Sequence, residues 1–135
     1  MSSNTIRVIL ADDHAAVRKG IRDFLTEPGD IEVIAEASDG DEAIALIGRH
    51  QPDVAVLDIQ MPKHSGIDVC RHIRAQHWPV GVLILTAYDD GPYVLAGLQA
   101  GANGYILSKL HTTTRTEAVI RAIALGWVSP PETTK

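Results

Sequence analysis

The sequence lacks the features that mark secreted, membrane-spanning and cysteine-rich proteins. Cys70 is the one cysteine among 135 residues, so no intramolecular disulfide can form and a cysteine-rich metal site is excluded. The apolar runs are much shorter than the roughly 20 residues that span a bilayer. Residues 1–5 have no basic segment leading into a long apolar stretch, as a signal peptide would. We therefore expect a soluble, cytoplasmic protein without membrane contact.

Cationic side chains are also scarce. The chain has 12 lysines and arginines against 17 aspartates and glutamates, which gives a net charge of −5. Because binding to a nucleic acid backbone depends largely on cationic side chains, we expect no direct contact with nucleic acid. With 45% hydrophobic and 21% charged residues, the composition is typical of a globular protein, and the length predicts one domain.

What the sequence does contain is a regular alternation of short apolar runs with helical patterns. Such runs, bounded by turn residues, are typical of buried parallel strands, and five occur, at 6–11, 31–37, 54–57, 80–85 and 105–107. Glu32 and Glu36 in the second run suit an edge strand, where charge opposes pairing with other chains. The pattern predicts an α/β fold with a doubly wound, five-stranded parallel sheet of order 2-1-3-4-5 and five helices, a flavodoxin-like three-layer sandwich.

The helices are predicted from apolar spacing and capping residues. Apolar residues recur at helical spacing after the first strand and predict the core face of the first helix: Val17, Ile21, Phe24 and Leu25. Three later helices open with a capping-box pair: Asp39 with Glu42, Ser65 with Asp68, and Thr114 with Glu117. Residues 1–129 are expected to form the domain, and the proline-containing residues 130–135 a linker or tail.

Polar side chains follow the predicted strands where each strand ends. Asp12 and Asp13 close the first run, Asp58 the third and Thr86 the fourth, while Lys109 follows the fifth. In an open α/β sheet the carboxyl ends of the strands line the binding crevice, so these side chains should converge. Carboxylates with a hydroxyl and an ammonium predict a divalent cation, best Mg²⁺, beside a phosphoryl group. An aspartate there can act as a nucleophile and become an acyl phosphate.

These motifs carry a strong family resemblance. Residues 6–14 (IRVILADDH), residues 58–62 (DIQMP) with Gly66, and the Thr86-Ala87 pair resemble the receiver domain of bacterial response regulators. Residues 36–40 (EASDG) and 101–105 (GANGY) are most similar to the NarL/LuxR-type subfamily. The resemblance runs over almost the whole chain, and it implies a function in two-component signal transduction rather than catalysis on another substrate.

The resemblance also implies roles for individual residues. Asp58 would accept a phosphoryl group from a sensor histidine kinase, and the domain would catalyse only its own phosphorylation and dephosphorylation. Asp13, Asp58 and the main-chain carbonyl of Gln60 would hold Mg²⁺, with Asp12 acting through water. Thr86 and Tyr105 would form the switch pair. The fourth helix, fifth strand and fifth helix would be the face that changes, and a homodimer would form through this face or another.

One residue departs from the family pattern. The family's lysine lies three residues after the aromatic residue that opens the fifth strand, where this chain has Ser108, and Lys109 comes one residue later. Since side chains alternate between the faces of a strand, this offset would turn Lys109 away from the phosphate unless a bulge or an early strand end restores its direction. We expect Lys109 to reach the phosphate, with Ser108 as the alternative.

Simpler interpretations remain for several of these residues. Asp12 and Asp13 alone would also fit helix-capping acids, and Thr86 and Tyr105 alone would fit ordinary strand residues. Cys70 is expected in the core, and the six histidines share no metal-ligand spacing. The histidine nearest the acids, at position 14, is expected on the loop surface.

Other functions also remain open. The NarL-like segments and the proline-containing tail predict a DNA-binding output domain after this chain, but a stand-alone phosphorelay receiver is the alternative. An aspartate-nucleophile phosphatase would need a second acid at Gln60. A flavodoxin is disfavoured because an acidic loop would repel the flavin phosphate.

Overall fold

The computed structural model describes residues 5–27, 29–86 and 91–107. These residues form five strands and four helices in strict alternation. In chain order the elements are β1 (Ile6–Ala11), α1 (Ala15–Thr26), β2 (Ile31–Ala37), α2 (Gly40–His50), β3 (Val54–Asp58), α3 (Gly66–Ala75), β4 (Gly81–Thr86), α4 (Gly91–Gln99) and β5 (Gly104–Leu107). Within the described ranges, every helix is too short or too polar to traverse a lipid bilayer.

The strands form one sheet of order β2-β1-β3-β4-β5, and each neighbouring pair is parallel. This confirms the predicted doubly wound topology, with the switch point between β1 and β3 and with β2 at one edge. The predicted fifth helix, the tail at 130–135 and the boundary at residue 129 lie outside the described residues.

Two strands extend one residue further than the apolar pattern predicted. Asp58 pairs with Leu85, and Thr86 pairs with Leu107, so Asp58 and Thr86 are the last residues of β3 and β4 rather than the first residues after them. The main-chain ladder continues past the last apolar side chain because strand pairing depends on main-chain groups.

Alternate residues of β1 pack into two separate cores, one on each face of the sheet. Ile9 and Ala11 belong to the core that contains the buried residues of α2 and α3. Val8 and Leu10 belong to the core that contains Leu25 of α1. The sheet is therefore covered on both faces, as the three-layer prediction required.

Cys70 lies in the first of these cores. Its side chain is fully buried in α3, and this burial raises the pKa of the thiol to about 11. A thiol in such surroundings stays protonated and behaves as a small apolar residue. The prediction of a core role is confirmed.

The prediction of the core face of α1 is only partly correct. Leu25 is buried and Ile21 packs against the same core, but Val17 is 40% exposed. The neighbouring Ala15 and Ala16 are exposed as well, so the helix makes its apolar contacts through its second half. Residue spacing predicts which side chains share a helix face, but it does not predict how much of that face the sheet covers.

Capping side chains begin α2 and α3 where the sequence placed them. Ser65 and Asp68 form the full reciprocal box at the start of α3. At α2 the Asp39 carboxylate accepts from the Glu42 N–H at 2.8 Å, but the Glu42 carboxylate accepts from the Ser38 N–H instead of that of Asp39. The box at α2 is therefore half formed, because Glu42 reaches one residue further back.

Gly66 opens α3 directly against the end of β3. Its N–H donates to the Ile59 carbonyl at 3.2 Å, and a Cβ atom at this position would overlap the carbonyl oxygen of Asp58. Glycine is required here because a side chain would have no space, and not because the main chain adopts a left-handed conformation. Only glycine lets the start of α3 approach this close to the main chain of Asp58.

Gly66→Ala should therefore lower the free energy of unfolding by about 1–3 kcal/mol, the usual cost of overpacking a close contact. Urea titration of wild type and Gly66→Ala measures this difference in the free energy of unfolding. The control is Gly20→Ala in α1, where a Cβ would meet no atom within 4 Å and where the change should add about 0.5–1 kcal/mol of stability. Equal stabilities for the two variants would contradict the close-approach explanation.

Candidate functional site

The switch point of the sheet brings three acids together. Ala11 pairs with Leu57 across β1 and β3, so the residues that follow them, Asp12 and Asp58, lie side by side. One potential ligand atom from each of Asp12, Asp13, His14 and Asp58 lies within 4.8 Å of all the others. The predicted convergence of the acids is observed, and a histidine joins them.

Main-chain contacts hold the first acids in place. Asp12 is 3% exposed, and its N–H donates to the Ala37 carbonyl at 3.0 Å. The Asp12 carboxylate accepts from the His14 N–H at 2.8 Å, which turns the chain sharply after β1. Asp13 is exposed and faces solvent at the mouth of the cluster. A buried and an exposed carboxylate therefore flank the position where Asp58 ends β3.

Sequence reasoning did not identify Arg18 as part of this site. Its guanidinium donates to the main-chain carbonyl of Asp12 and, at 3.0 Å, to the Glu36 carboxylate. Arg22 donates to the second oxygen of Glu36 at 2.7 Å. Arg18 thus joins the loop that carries the acids to the edge strand β2. The signal in the sequence was an arginine in the first helix and an acid, Glu36, late in the second strand.

Burial and the neighbouring acids change the pKa of the Asp58 carboxyl group. Burial is the larger cause and the charge of Asp12 the second, and together they raise the pKa of Asp58 to about 6. The Gln60 N–H, 3.4 Å from the Asp58 carboxylate, opposes the rise. A raised pKa means that negative charge is disfavoured here unless a positive charge enters, and a metal cation would supply it.

The loop that follows Asp58 is attached to the start of α2. The Pro62 carbonyl accepts from the Gly40 N–H at 3.1 Å. His64 lies 3.1 Å from the Asp41 carboxylate, and Lys63 lies 3.9 Å from that of Asp39. A Cβ atom on Gly40 would overlap the main chain of His64, so glycine permits the contact. Gln60, at the start of this loop, is exposed next to the acids.

The other predicted site residues are described only in part. Thr86 ends β4, the strand beside β3, and Tyr105 is the second residue of β5, where it pairs with Ile84. The main chain of Thr86 therefore lies on the strand next to that of Asp58, and the main chain of Tyr105 lies on the strand beyond it. The side chains of Thr86 and Tyr105, and all of Ser108 and Lys109, lie outside the described residues, so their convergence with the acids stays a prediction.

Fold and acidic cluster together define a class of protein. A family model for the response regulator receiver domain matches residues 8–120, and the chain belongs to this family, the receiver domains of two-component response regulators. The chain is 35% identical over 126 residues to the transcriptional regulatory protein DegU of Brevibacillus brevis, covering 93% of this chain and 53% of DegU. It is 40% identical over 114 residues to the probable transcriptional regulatory protein NarL of Mycobacterium tuberculosis, covering 84% of this chain and 51% of NarL.

Solved structures agree with this assignment. The signal receiver domain of NarL from Mycobacterium tuberculosis superposes with a TM-score of 0.87 at 37% identity, covering 91% of this chain and 98% of that domain. The match to a receiver domain is therefore nearly complete. By contrast, the chain spans about half the length of the curated relatives it matches.

The raised pKa of Asp58 predicts a pH-dependent stability. The folded value of about 6 lies above the ordinary 3.8, so the metal-free folded state loses stability as the pH rises from about 4 to about 6. Asp58→Asn cannot ionise and should gain about 1–2 kcal/mol over wild type across this range, a figure reduced because the side chain is only half-buried. Urea titrations at several pH values with a chelator measure the gain.

Asp23→Asn provides the control for this measurement. The pKa of Asp23 is lowered, chiefly by its hydrogen bond from Lys19, so removal of that carboxylate should give no stability gain as the pH rises. A difference between Asp58→Asn and wild type that stays constant from pH 4 to 6 would contradict the effect of burial and neighbouring acids on Asp58.

Proposed function

We propose that this chain is a magnesium-dependent phosphoacceptor domain in which Asp58 receives a phosphoryl group from a sensor histidine kinase. The observation that supports this most directly is the joining of Asp12, Asp13 and Asp58 at the switch point, with ligand atoms within 4.8 Å of one another. Membership of the receiver family supports the same conclusion. The domain would catalyse only its own phosphorylation and dephosphorylation.

The acidic cluster fits a hard divalent cation. Mg²⁺ prefers oxygen ligands and retains several waters, so one or two carboxylates suffice. Asp13 and Asp58 would be direct ligands with the main-chain carbonyl of Gln60, and the buried Asp12 would act through water. When bound, Mg²⁺ would supply a positive charge beside Asp58, whose pKa is raised by burial and by the charge of Asp12, and it would neutralise phosphoryl oxygens.

The chemical step belongs to Asp58. One oxygen of its carboxylate would attack the phosphorus atom, forming an oxygen–phosphorus bond as the phosphorus–nitrogen bond of the kinase phosphohistidine breaks, and the electron pair returns to the imidazole nitrogen. Thr86 would donate a hydrogen bond to a phosphoryl oxygen, and Lys109 would neutralise another. Thr86 and Tyr105 would then report the modification to the face formed by α4, β5 and the following helix.

The whole protein is proposed to be longer than this domain. DegU and NarL are transcriptional regulators, and this chain covers only about half of each. We take residues 1–129 as the receiver and 130–135 as the start of a linker to a DNA-binding output domain, with no nucleic acid contact by the receiver itself. A cytoplasmic location suits a kinase partner. Homodimer formation, through the face of α4, β5 and the following helix or through another face, would couple phosphorylation to output.

Phosphorylation of Asp58 can be tested directly. Incubation of the chain with acetyl phosphate and Mg²⁺ should add one phosphoryl group by intact-mass spectrometry. Asp58→Asn should remain unmodified, and Asp13→Asn or added chelator should suppress the reaction strongly because the cation is no longer held. Asp23→Asn, which removes an exposed carboxylate of α1, is the matched control and should react like wild type. Full modification of Asp58→Asn would refute the assignment.

Arg18 should affect this site through its bond to the Asp12 carbonyl. Arg18→Met should weaken Mg²⁺ binding by about tenfold, the usual effect of removing a group that orients a ligand, as measured by isothermal titration calorimetry. Arg22→Met is the control, because Arg22 shares the Glu36 ion pair without contacting the acid loop. Equal losses in the two variants would attribute the effect to Glu36 rather than to the loop.

A further inference from the structure

His14 places a nitrogen atom inside the acidic cluster. Its Nδ1 lies 3.0 Å from an oxygen of Asp13 and 3.5 Å from an oxygen of Asp12. The imidazole therefore approaches the acids from their open side. Its position on the loop surface was predicted and is observed, since the side chain is 72% exposed, but its contact with the acids was not predicted.

The local structure leaves the His14 ring available for another task. His14 occupies the N-cap position of α1, yet its side chain makes no capping hydrogen bond. Its main-chain N–H, rather than its ring, forms the bond to Asp12 that turns the loop. The ring can therefore turn about its side-chain bonds without breaking the loop or the start of the helix.

The spacing of these atoms is close to that of a coordination sphere. Ligand atoms on opposite sides of an ion are separated by about 4–4.4 Å when each lies about 2.0–2.2 Å from it. The four potential ligand atoms lie within 4.8 Å of one another. Small side-chain rotations that shorten the largest separations by a few tenths of an ångström would therefore allow these atoms to face one ion. With Asp13 and Asp58 as direct ligands and Asp12 acting through water, the His14 nitrogen would complete a mixed oxygen–nitrogen donor set.

We propose that His14 is a fourth metal ligand, so that this pocket binds nitrogen-favouring divalent ions such as Co²⁺, Ni²⁺ or Zn²⁺ as well as Mg²⁺. Imidazole suits these later transition metals, whereas Mg²⁺ prefers oxygen donors and gains little from a nitrogen atom. His14 thus adds a preference for the later transition metals, which the carboxylates alone do not provide. This inference rests on the proposed metal site at Asp13 and Asp58, and it extends that site to a different class of ion.

Co²⁺ is the probe, because it takes mixed oxygen and nitrogen ligands and is paramagnetic. Titration calorimetry of the full 135-residue chain should show that His14→Ala lowers Co²⁺ affinity by about tenfold or more, since even groups that only orient a ligand have effects of this size. Mg²⁺ affinity should fall much less in the same variant, because Mg²⁺ prefers oxygen donors. In the Co²⁺-loaded wild type, proton NMR should show a hyperfine-shifted, solvent-exchangeable imidazole N–H signal that His14→Ala lacks.

The chain offers a matched control in His64. It is also exposed and lies 3.1 Å from one carboxylate, that of Asp41, but among the described residues it belongs to no group that could hold a metal ion. His64→Ala should keep both the Co²⁺ affinity and the shifted signal. His14→Asn, which keeps a favourable N-cap residue but removes the imidazole, should behave like His14→Ala and so excludes a loss caused by fraying of α1.

The outcomes separate this inference from the proposed function. If Co²⁺ affinity and the NMR signal are the same in wild type, His14→Ala and His14→Asn, then His14 is not a ligand and the inference is wrong. Mg²⁺ binding that still depends on Asp13 would in that case leave the phosphoacceptor site intact. Failure of the wild type to bind Mg²⁺ at all would instead refute the proposed function.

Discussion

Burial and the gathering of like charges at one edge of the sheet govern this site. Parallel pairing of β1 with β3 brings Asp12, Asp13 and Asp58 together, and burial, followed by the charge of Asp12, raises the pKa of Asp58. In the described part of the chain, His14 is the one basic side chain that lies within 4.0 Å of these carboxylates. Arg18 and Arg22 direct their charge to Glu36 instead. The fold therefore holds a concentration of negative charge that calls for a cation from solution.

Structural support for this arrangement comes from main-chain contacts rather than from neutralising side chains. Asp12 is held through its own N–H and carbonyl groups by Ala37 and Arg18. The loop after Asp58 is held by the approach of Gly40 and Gly66 to its main chain. Such contacts hold the carboxylates in place without supplying a positive charge.

The sequence predicted those features that depend on short-range patterns. The bounds of β2 at 31–37 agree with its apolar run, and the convergence of the acids followed from strand order and the general geometry of parallel sheets. Features set by tertiary packing were not predicted. Exposure of Val17 depends on how far the sheet extends beneath α1, and the contacts of His14 and Arg18 depend on the path of one loop. Residue spacing contains neither piece of information.

The position of Asp58 has a consequence for signalling. Its side chain ends a central strand, its main chain pairs with Leu85, and its carbonyl abuts Gly66. A residue enclosed in this way is anchored, so its backbone is a poor moving part. In the proposed role of phosphoacceptor, Asp58 would therefore keep its main-chain position, and the adjoining strands and helices would be the parts that move.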